Sequence, residues 1–159
     1  MIWDYGKTIQ LISIILSYID DCKKNKCLIK PSIVVCPSSL SLNWKNEITK
    51  FNADINVSVI RGNANERKAL INEIKDHNLI ITSYDLIKRD IDEYIESNIE
   101  FKYIIVDESQ FIKNSNTQNA KAIKKLIGET RYALTGTPIE NSLSELWSVF
   151  DFILPRISI

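Results

Sequence analysis

Two short stretches hold side chains that could do chemistry on a phosphate. Gly6-Lys7-Thr8 heads the apolar series Ile9, Leu11, Ile12, Ile14, Ile15, Leu16 and Ile19, which reads as a helix opening directly from a glycine. A glycine there lets backbone N–H groups approach phosphate oxygens, a lysine reaches β- and γ-phosphates, and a hydroxyl can ligate Mg²⁺. The free N–H groups and the dipole of the helix N-terminus favour the same anion. The second stretch is Tyr103-Ile104-Ile105-Val106-Asp107-Glu108-Ser109-Gln110, an apolar run that delivers two adjacent carboxylates into a polar segment. Such a run reads as a strand buried on both faces of a parallel sheet, with the acids at its C-terminal end, where open α/β sheets bind ligands. Asp107 is placed to hold a hydrated Mg²⁺, and Glu108 to orient or deprotonate a water. Each stretch alone is a common pattern, since acids after apolar strands are usually only solvated. The two together point to one phosphate site.

The elements that must position these residues alternate along the chain. A helix from about Lys7 to Asp20 is followed by a polar exit, Asp20 to Lys26, read as a solvated loop. Ser32-Ile33-Val34-Val35-Cys36 reads as a buried strand and Pro37-Ser38-Ser39 as its turn. The next helix runs from Leu40 or Ser41 to Phe51, with Trp44, Ile48 and Phe51 on its apolar face. A short strand over Ile55–Ile60, a turn at 62–65 and a helix from Glu66 to Asp76 follow. Leu79–Thr82 is a third buried strand, ending in Ser83-Tyr84-Asp85, and a helix over Tyr84–Ser97 is expected to break near Arg89-Asp90. After the acidic strand come a loop at Asn114-Ser115-Asn116, a helix over Thr117–Ile127 capped by Gly128, and a last strand, Arg131–Thr135, closing on Gly136-Thr137-Pro138. Ser142 to Glu145 fits a capping box for a final helix through Phe152, with Pro155 beyond its end. Its Trp147, Phe150, Phe152 and Ile153 read as packing on the sheet, or as covering a surface bared by a missing lobe. Strands alternating with helices predict an α/β fold with a doubly wound, mostly parallel sheet and helices on both faces.

Composition bounds the partners. The 159 residues suffice for one α/β domain, and 20 Lys and Arg balance 20 Asp and Glu, so no basic excess marks a nucleic-acid binder; any such contact must be local. Cys22, Cys27, Cys36 and His77 match no metal-ligand spacing, and an odd number of cysteines fits a reducing compartment. Leu11–Ile19 is too short to span a membrane. A cytoplasmic or nucleoid-associated location is expected, or a nuclear one in a eukaryote.

Five segments in order and spacing carry a resemblance. They are Gly-Lys-Thr-Ile-Gln at 6–10, Pro-Ser-Ser-Leu at 37–40 followed by Trp44, Ile-Thr-Ser-Tyr at 81–84, Asp-Glu-Ser-Gln-Phe-Ile-Lys-Asn at 107–114, and Leu-Thr-Gly-Thr-Pro-Ile-Glu-Asn-Ser at 134–142. Over nearly the whole chain they resemble the first RecA-like lobe of the Swi/Snf family of helicase-like, DNA-dependent ATPases, a P-loop NTPase fold. The resemblance implies that Gly6, Lys7 and Thr8 bind the phosphates of ATP, that Thr8 and Asp107 ligate Mg²⁺, and that Glu108 serves the hydrolytic water. It implies that Gln110, beside the nucleotide, couples the acidic motif to Thr135, Gly136 and Thr137, which link the nucleotide state to a second lobe and to DNA. Pro37, Ser38, Ser39 and Leu40, with Thr82, Ser83 and Tyr84, are expected to face the backbone of double-stranded DNA. Such contacts do not read sequence, and binding through them is weak and salt-sensitive.

The match also has departures. The family's loop usually reads Asp-Glu-Met-Gly-Leu before Gly-Lys-Thr, whereas this chain has Met1-Ile2-Trp3-Asp4-Tyr5, so Asp4 replaces a glycine and should repel a triphosphate. The start of the phosphate loop and the whole second RecA-like lobe are expected to be missing, making residues 1–159 a single partial domain. An arginine finger from that second lobe is worth roughly 10³ to 10⁵ in rate, so the chain alone is expected to hydrolyse ATP slowly or not at all. Two functions stay open: the lobe of a DNA translocase completed by another polypeptide, or an interaction module that keeps the fold without ATP turnover. A P-loop kinase or small GTPase leaves Leu-Thr-Gly-Thr-Pro unexplained.

Overall fold

The computed structural model describes residues 5–51, 54–114, 116–136 and 143–154. Five strands, β1 (Ser32–Cys36), β2 (Val57–Val59), β3 (Leu79–Ser83), β4 (Glu100–Val106) and β5 (Ile127–Ala133), form one sheet in the order β2-β3-β1-β4-β5. Every pairing is parallel. All five residues of β1 and of β3 are buried, as a parallel sheet covered on both faces requires.

Six helices cover it: α1 (Tyr5–Asn25), α2 (Ser41–Phe51), α3 (Ala64–Asn72), α4 (Tyr84–Glu96), α5 (Gln118–Lys124) and α6 (Leu143–Ile153). The alternation of side chains along β1 divides the core. Val34 and Cys36 meet Leu11, Ile12 and Ile15 of α1 with Trp44 and Ile48 of α2. Ile33 and Val35 meet Ile71 of α3, Ile87 and Ile91 of α4, Ile123 of α5 and Phe152 of α6. Each aliphatic side chain so buried contributes about 1.5–3 kcal/mol relative to exposure. The chain thus leaves β1 for α2 on one face, while β3 and β4, on either side of β1, lead to α4 and α5 on the other. Neighbouring strands that exit to opposite faces open a crevice at their C-terminal ends.

Several boundaries differ from the sequence pattern for local reasons. Helix α1 continues through Asp20–Asn25, with Lys23 and Lys24 in its last turn, where cations suit the dipole, and Cys22 buried. It stops where Lys26 turns left-handed (φ 53°) and the Cys27 amide donates to the Cys22 carbonyl at 2.9 Å. Phe51, at the end of α2, is 46% exposed, so only Trp44 and Ile48 of the expected face are buried. Helix α3 begins at Ala64 because Asn63 and Glu66 form a capping box, and it ends at Asn72 before a separate 3₁₀ turn over Ile74–Asp76. Strand β2 is confined to Val57–Val59. Helix α4 does not break at Arg89-Asp90. Asp90 points inward, where its carboxylate accepts from Arg67 Nε at 2.8 Å and Nη2 at 2.9 Å, and Arg67 Nη1 donates to the Gly62 carbonyl at 2.8 Å.

Gly128 is not a helix cap but a residue of β5, which begins at Ile127 and ends at Ala133, earlier at both ends than expected. A Cβ there would lie 2.6 Å from Ile104 Cδ1 and 2.8 Å from its Cγ1. Glycine is needed because β5 closes over a fully buried isoleucine. In the final helix Phe152 is buried, as the packing reading expects, and Ile153 is half-buried. Ser142, Pro155, Thr137 and Ser115 lie outside the described residues, as do the side chains of Trp147 and Phe150. No helix among the described residues is long and apolar enough to cross a membrane.

Two stability predictions follow from these contacts. Asp90→Ala leaves a buried guanidinium unpaired and should cost about 3–5 kcal/mol in urea unfolding, whereas the double change Arg67→Met, Asp90→Leu should cost much less. Gly128→Ala should cost about 1–3 kcal/mol by overpacking, and combining it with Ile104→Val, which shortens the clashing side chain, should be less than additive.

Candidate functional site

The C-terminal ends of the central strands are joined beyond the last ladder residues. The Asp107 amide donates to the Val35 carbonyl, the Leu134 amide to Val106, and the Ser109 amide back to Leu134, each at 2.8 Å. Asp107 therefore leaves β4 held between β1 and the segment after β5. Its side chain is held as well: Oδ1 accepts from the Glu108 amide at 2.9 Å and Oδ2 from Trp44 Nε1 at 2.9 Å. The Tyr84 hydroxyl donates to the Asp107 carbonyl at 2.6 Å. Glu108 then takes a left-handed conformation, φ 53° and ψ 58°, and starts a 3₁₀ turn over Ser109–Ile112. A non-glycine residue there costs on the order of 1–3 kcal/mol, a strain that turns the chain sharply at the strand end. The Glu108 carboxylate accepts from Gln110 Nε2, while Gln110 Oε1 is buried without a hydrogen-bond donor.

Lys7, in the first turns of α1, reaches the same place from the other end of the sequence. Its Nζ donates to the Thr135 carbonyl at 2.7 Å, so residues 7, 107–110 and 135 converge on one sheet edge. Thr8 is 3% exposed beneath it, and Gly6 is exposed within the first turn of the helix. Gly136 is exposed too, with open space where a Cβ would stand.

The electrostatics follow from burial. Asp107, 9% exposed, has its carboxyl pKa raised, first by desolvation and further by the Glu108 charge. The Trp44 and Glu108 N–H donors and the Lys7 charge oppose that rise. Burial, with the Asp107 charge second, pushes the Cys36 thiol up to about 12. The same two causes, in the same order, raise the Tyr84 phenol. Cys36 and Tyr84 thus remain protonated, and Cys36 Sγ donates to the Thr82 carbonyl at 3.6 Å.

A buried carboxylate disfavoured by desolvation is a group that a hard divalent cation could stabilise in its ionised form. No group of three His, Cys, Asp or Glu side chains among the described residues could hold a metal alone.

The residues expected to face DNA divide in two. Ser38 and Ser39 are exposed in a 3₁₀ turn directly after β1, and Pro37 and Leu40 are half-buried beside them. Thr82, Ser83 and Tyr84 turn their side chains inward; Ser83 Oγ caps α4 by accepting from the Leu86 amide at 3.2 Å. Sequence reasoning missed the Trp44 and Tyr84 bonds to Asp107. It also missed Phe111, which is half-exposed and stacks on Tyr84 with ring centroids 5.0 Å apart and planes 14° apart. A buried tryptophan needs an acceptor for its N–H, a signal that a partner exists without saying which.

A family model described as SNF2-related domain matches residues 4–158. Human TATA-binding protein-associated factor 172 is 42% identical over 161 aligned residues, covering 94% of this chain and 8% of that protein. An uncharacterized ATP-dependent helicase of Mycoplasma genitalium is 41% identical over 151 residues, covering 95% of this chain and 14% of its own length. The Sulfolobus solfataricus SWI2/SNF2 ATPase core, solved in complex with dsDNA, is similar with a TM-score of 0.77 and 38% identity, over 94% of this chain and 29% of that one. The chain spans only a small part of each of these relatives.

The Tyr84 bond can be tested by stability alone. Tyr84→Phe keeps the ring stack but leaves the buried Asp107 carbonyl without its donor, and should cost about 1–3 kcal/mol in urea unfolding.

Proposed function

Given that this chain belongs to the SNF2-related domain family, we propose that it is the first lobe of an ATP-dependent DNA translocase or helicase-like remodelling ATPase, binding Mg-ATP and the backbone of duplex DNA. The observation that carries this reading is the convergence of Lys7, Asp107, Glu108 and Thr135 at the ends of β4 and β5. Four residues from three distant stretches meet where a triphosphate would be cradled.

In this reading Gly6 and the first amides of α1 take phosphate oxygens, and Lys7 exchanges the Thr135 carbonyl for them. That exchange would free the Thr135 carbonyl from Lys7, and Thr135, Gly136 and Thr137 would report the nucleotide state to a second lobe. Thr8 and Asp107 would hold Mg²⁺, which when bound would neutralise charge on the phosphates. Glu108, on its left-handed turn, orients the attacking water, and Gln110 restrains the Glu108 carboxylate. The DNA-bound state of the archaeal core supports duplex DNA as partner, with Ser38 and Ser39 the exposed hydroxyls placed for phosphates. A second lobe, from the same or a neighbouring chain, would supply the remaining catalytic groups. The Asp4 substitution favours a second reading, a module that folds without turning over ATP.

Equilibrium binding of a fluorescent ATP analogue with Mg²⁺ separates the two. The parent chain should bind, and Lys7→Ala and Asp107→Ala should each weaken binding at least about tenfold, equivalent to about 1.4 kcal/mol. A parent chain that melts cooperatively but binds nothing would leave the module reading in place.

A further inference from the structure

We propose that Trp44 is a positioning residue for the metal site, acting through Asp107. The inference rests on the reading of Asp107 as an Mg²⁺ ligand. Trp44 lies on α2, 63 residues from Asp107 in sequence and on the helix that crosses away from β4, yet its indole N–H donates to Asp107 Oδ2 at 2.9 Å. The indole is 2% exposed and packed among the residues of α1, β1 and β3, so its ring has little freedom to turn the N–H elsewhere.

The bond acts on orientation. A carboxylate on a strand end can rotate about its last torsion, which is broad for aspartate. One donor, such as the Glu108 amide 2.9 Å from Oδ1, leaves the carboxylate plane free to swing about that contact. A second donor on the other oxygen, fixed in a different element, sets the plane. Each oxygen keeps a further lone pair for a cation, since an ionised carboxylate offers about four acceptor sites. The Tyr84 hydroxyl on the carbonyl fixes the backbone of the same residue, so all three Asp107 oxygens are bound before any ligand arrives. Outer partners of this kind commonly alter metal affinity by roughly 10–100-fold when removed.

Trp44 also links two parts of the site. It stands in the first turn of α2, which begins at Ser41 directly after the Pro37–Leu40 turn, so a shift of that turn carried into the helix would move the donor that sets the Asp107 plane.

The test uses the full chain and the fluorescent ATP analogue, titrated once with Mg²⁺ and once with EDTA. The ratio of the two affinities isolates what the metal adds. Trp44→Phe, which keeps an apolar ring and loses the donor, should reduce that ratio by roughly tenfold while the EDTA affinity stays within about twofold of the parent. In an Asp107→Ala background the same substitution should change neither affinity further. Should Trp44→Phe not melt cooperatively, the tryptophan analogue with sulfur in place of the indole N–H, installed at position 44, provides the isosteric comparison. A ratio unchanged from the parent overturns the role of Trp44 alone. Equal losses with Mg²⁺ and with EDTA overturn it too, as the mark of a general packing defect. A parent chain whose affinity does not depend on Mg²⁺ overturns the metal reading of Asp107, and the Trp44 role with it.

Discussion

A carboxylate at the end of a strand buried on both faces is the constraint from which the rest of the site follows. Asp107 cannot be well solvated where β4 delivers it, so its charge must be met by donors the fold supplies. Two donors answer that need, Trp44 Nε1 from α2 and the Glu108 amide from the turn itself, while the Tyr84 hydroxyl from the start of α4 holds the main-chain carbonyl of the same residue. They can meet because β1 and its neighbours β3 and β4 leave the sheet toward opposite faces. Donors therefore arrive from above and below one strand end, and the crevice between them stays open.

Strain and rigidity are divided around this point. The left-handed Glu108 is a conformation that only surrounding structure can hold, and the bonds from the Asp107 amide to Val35 and from the Ser109 amide to Leu134 bracket it on both sides. Farther off, the buried Arg67–Asp90 pair joins α3 to α4, the helix whose first residue is Tyr84. The contact made by Lys7 is different in kind. Its Nζ donates to a backbone carbonyl of the segment just beyond β5, the partner that phosphate oxygens would replace in the proposed function.

Much of this was legible in the residues. Ser32–Cys36, Leu79–Thr82 and the run to Val106 read as buried strands because β-branched side chains without polar alternation suit only a sheet covered twice. The pairing of Gly6-Lys7-Thr8 with Asp107-Glu108 carries, in its residue types alone, the phosphate chemistry proposed for the site. Two of the boundaries that differ share a cause, that local polarity reads as the end of an element, and the third turns on packing. Asp20–Asn25 looked like a loop and is a helix with a solvated last turn. Arg89-Asp90 looked like a break, yet Asp90 is an interior residue because Arg67 waits for it. Gly128 looked like a cap, although its missing side chain makes room for Ile104.

The sequence by itself determined the alternation of strands and helices, the parallel sheet, and the residue types from which a phosphate and metal site is proposed, because these depend on periodicity and on functional groups carried in short stretches. Only the tertiary structure decided which groups touch. Lys7 meets Thr135 across 128 residues and Trp44 meets Asp107 across 63, contacts that depend on strand order and on which face each helix covers. Neither quantity has a local signature. The indole N–H of Trp44 required an acceptor wherever it was buried, and the crossing of α2 over the sheet made that acceptor the carboxylate of Asp107.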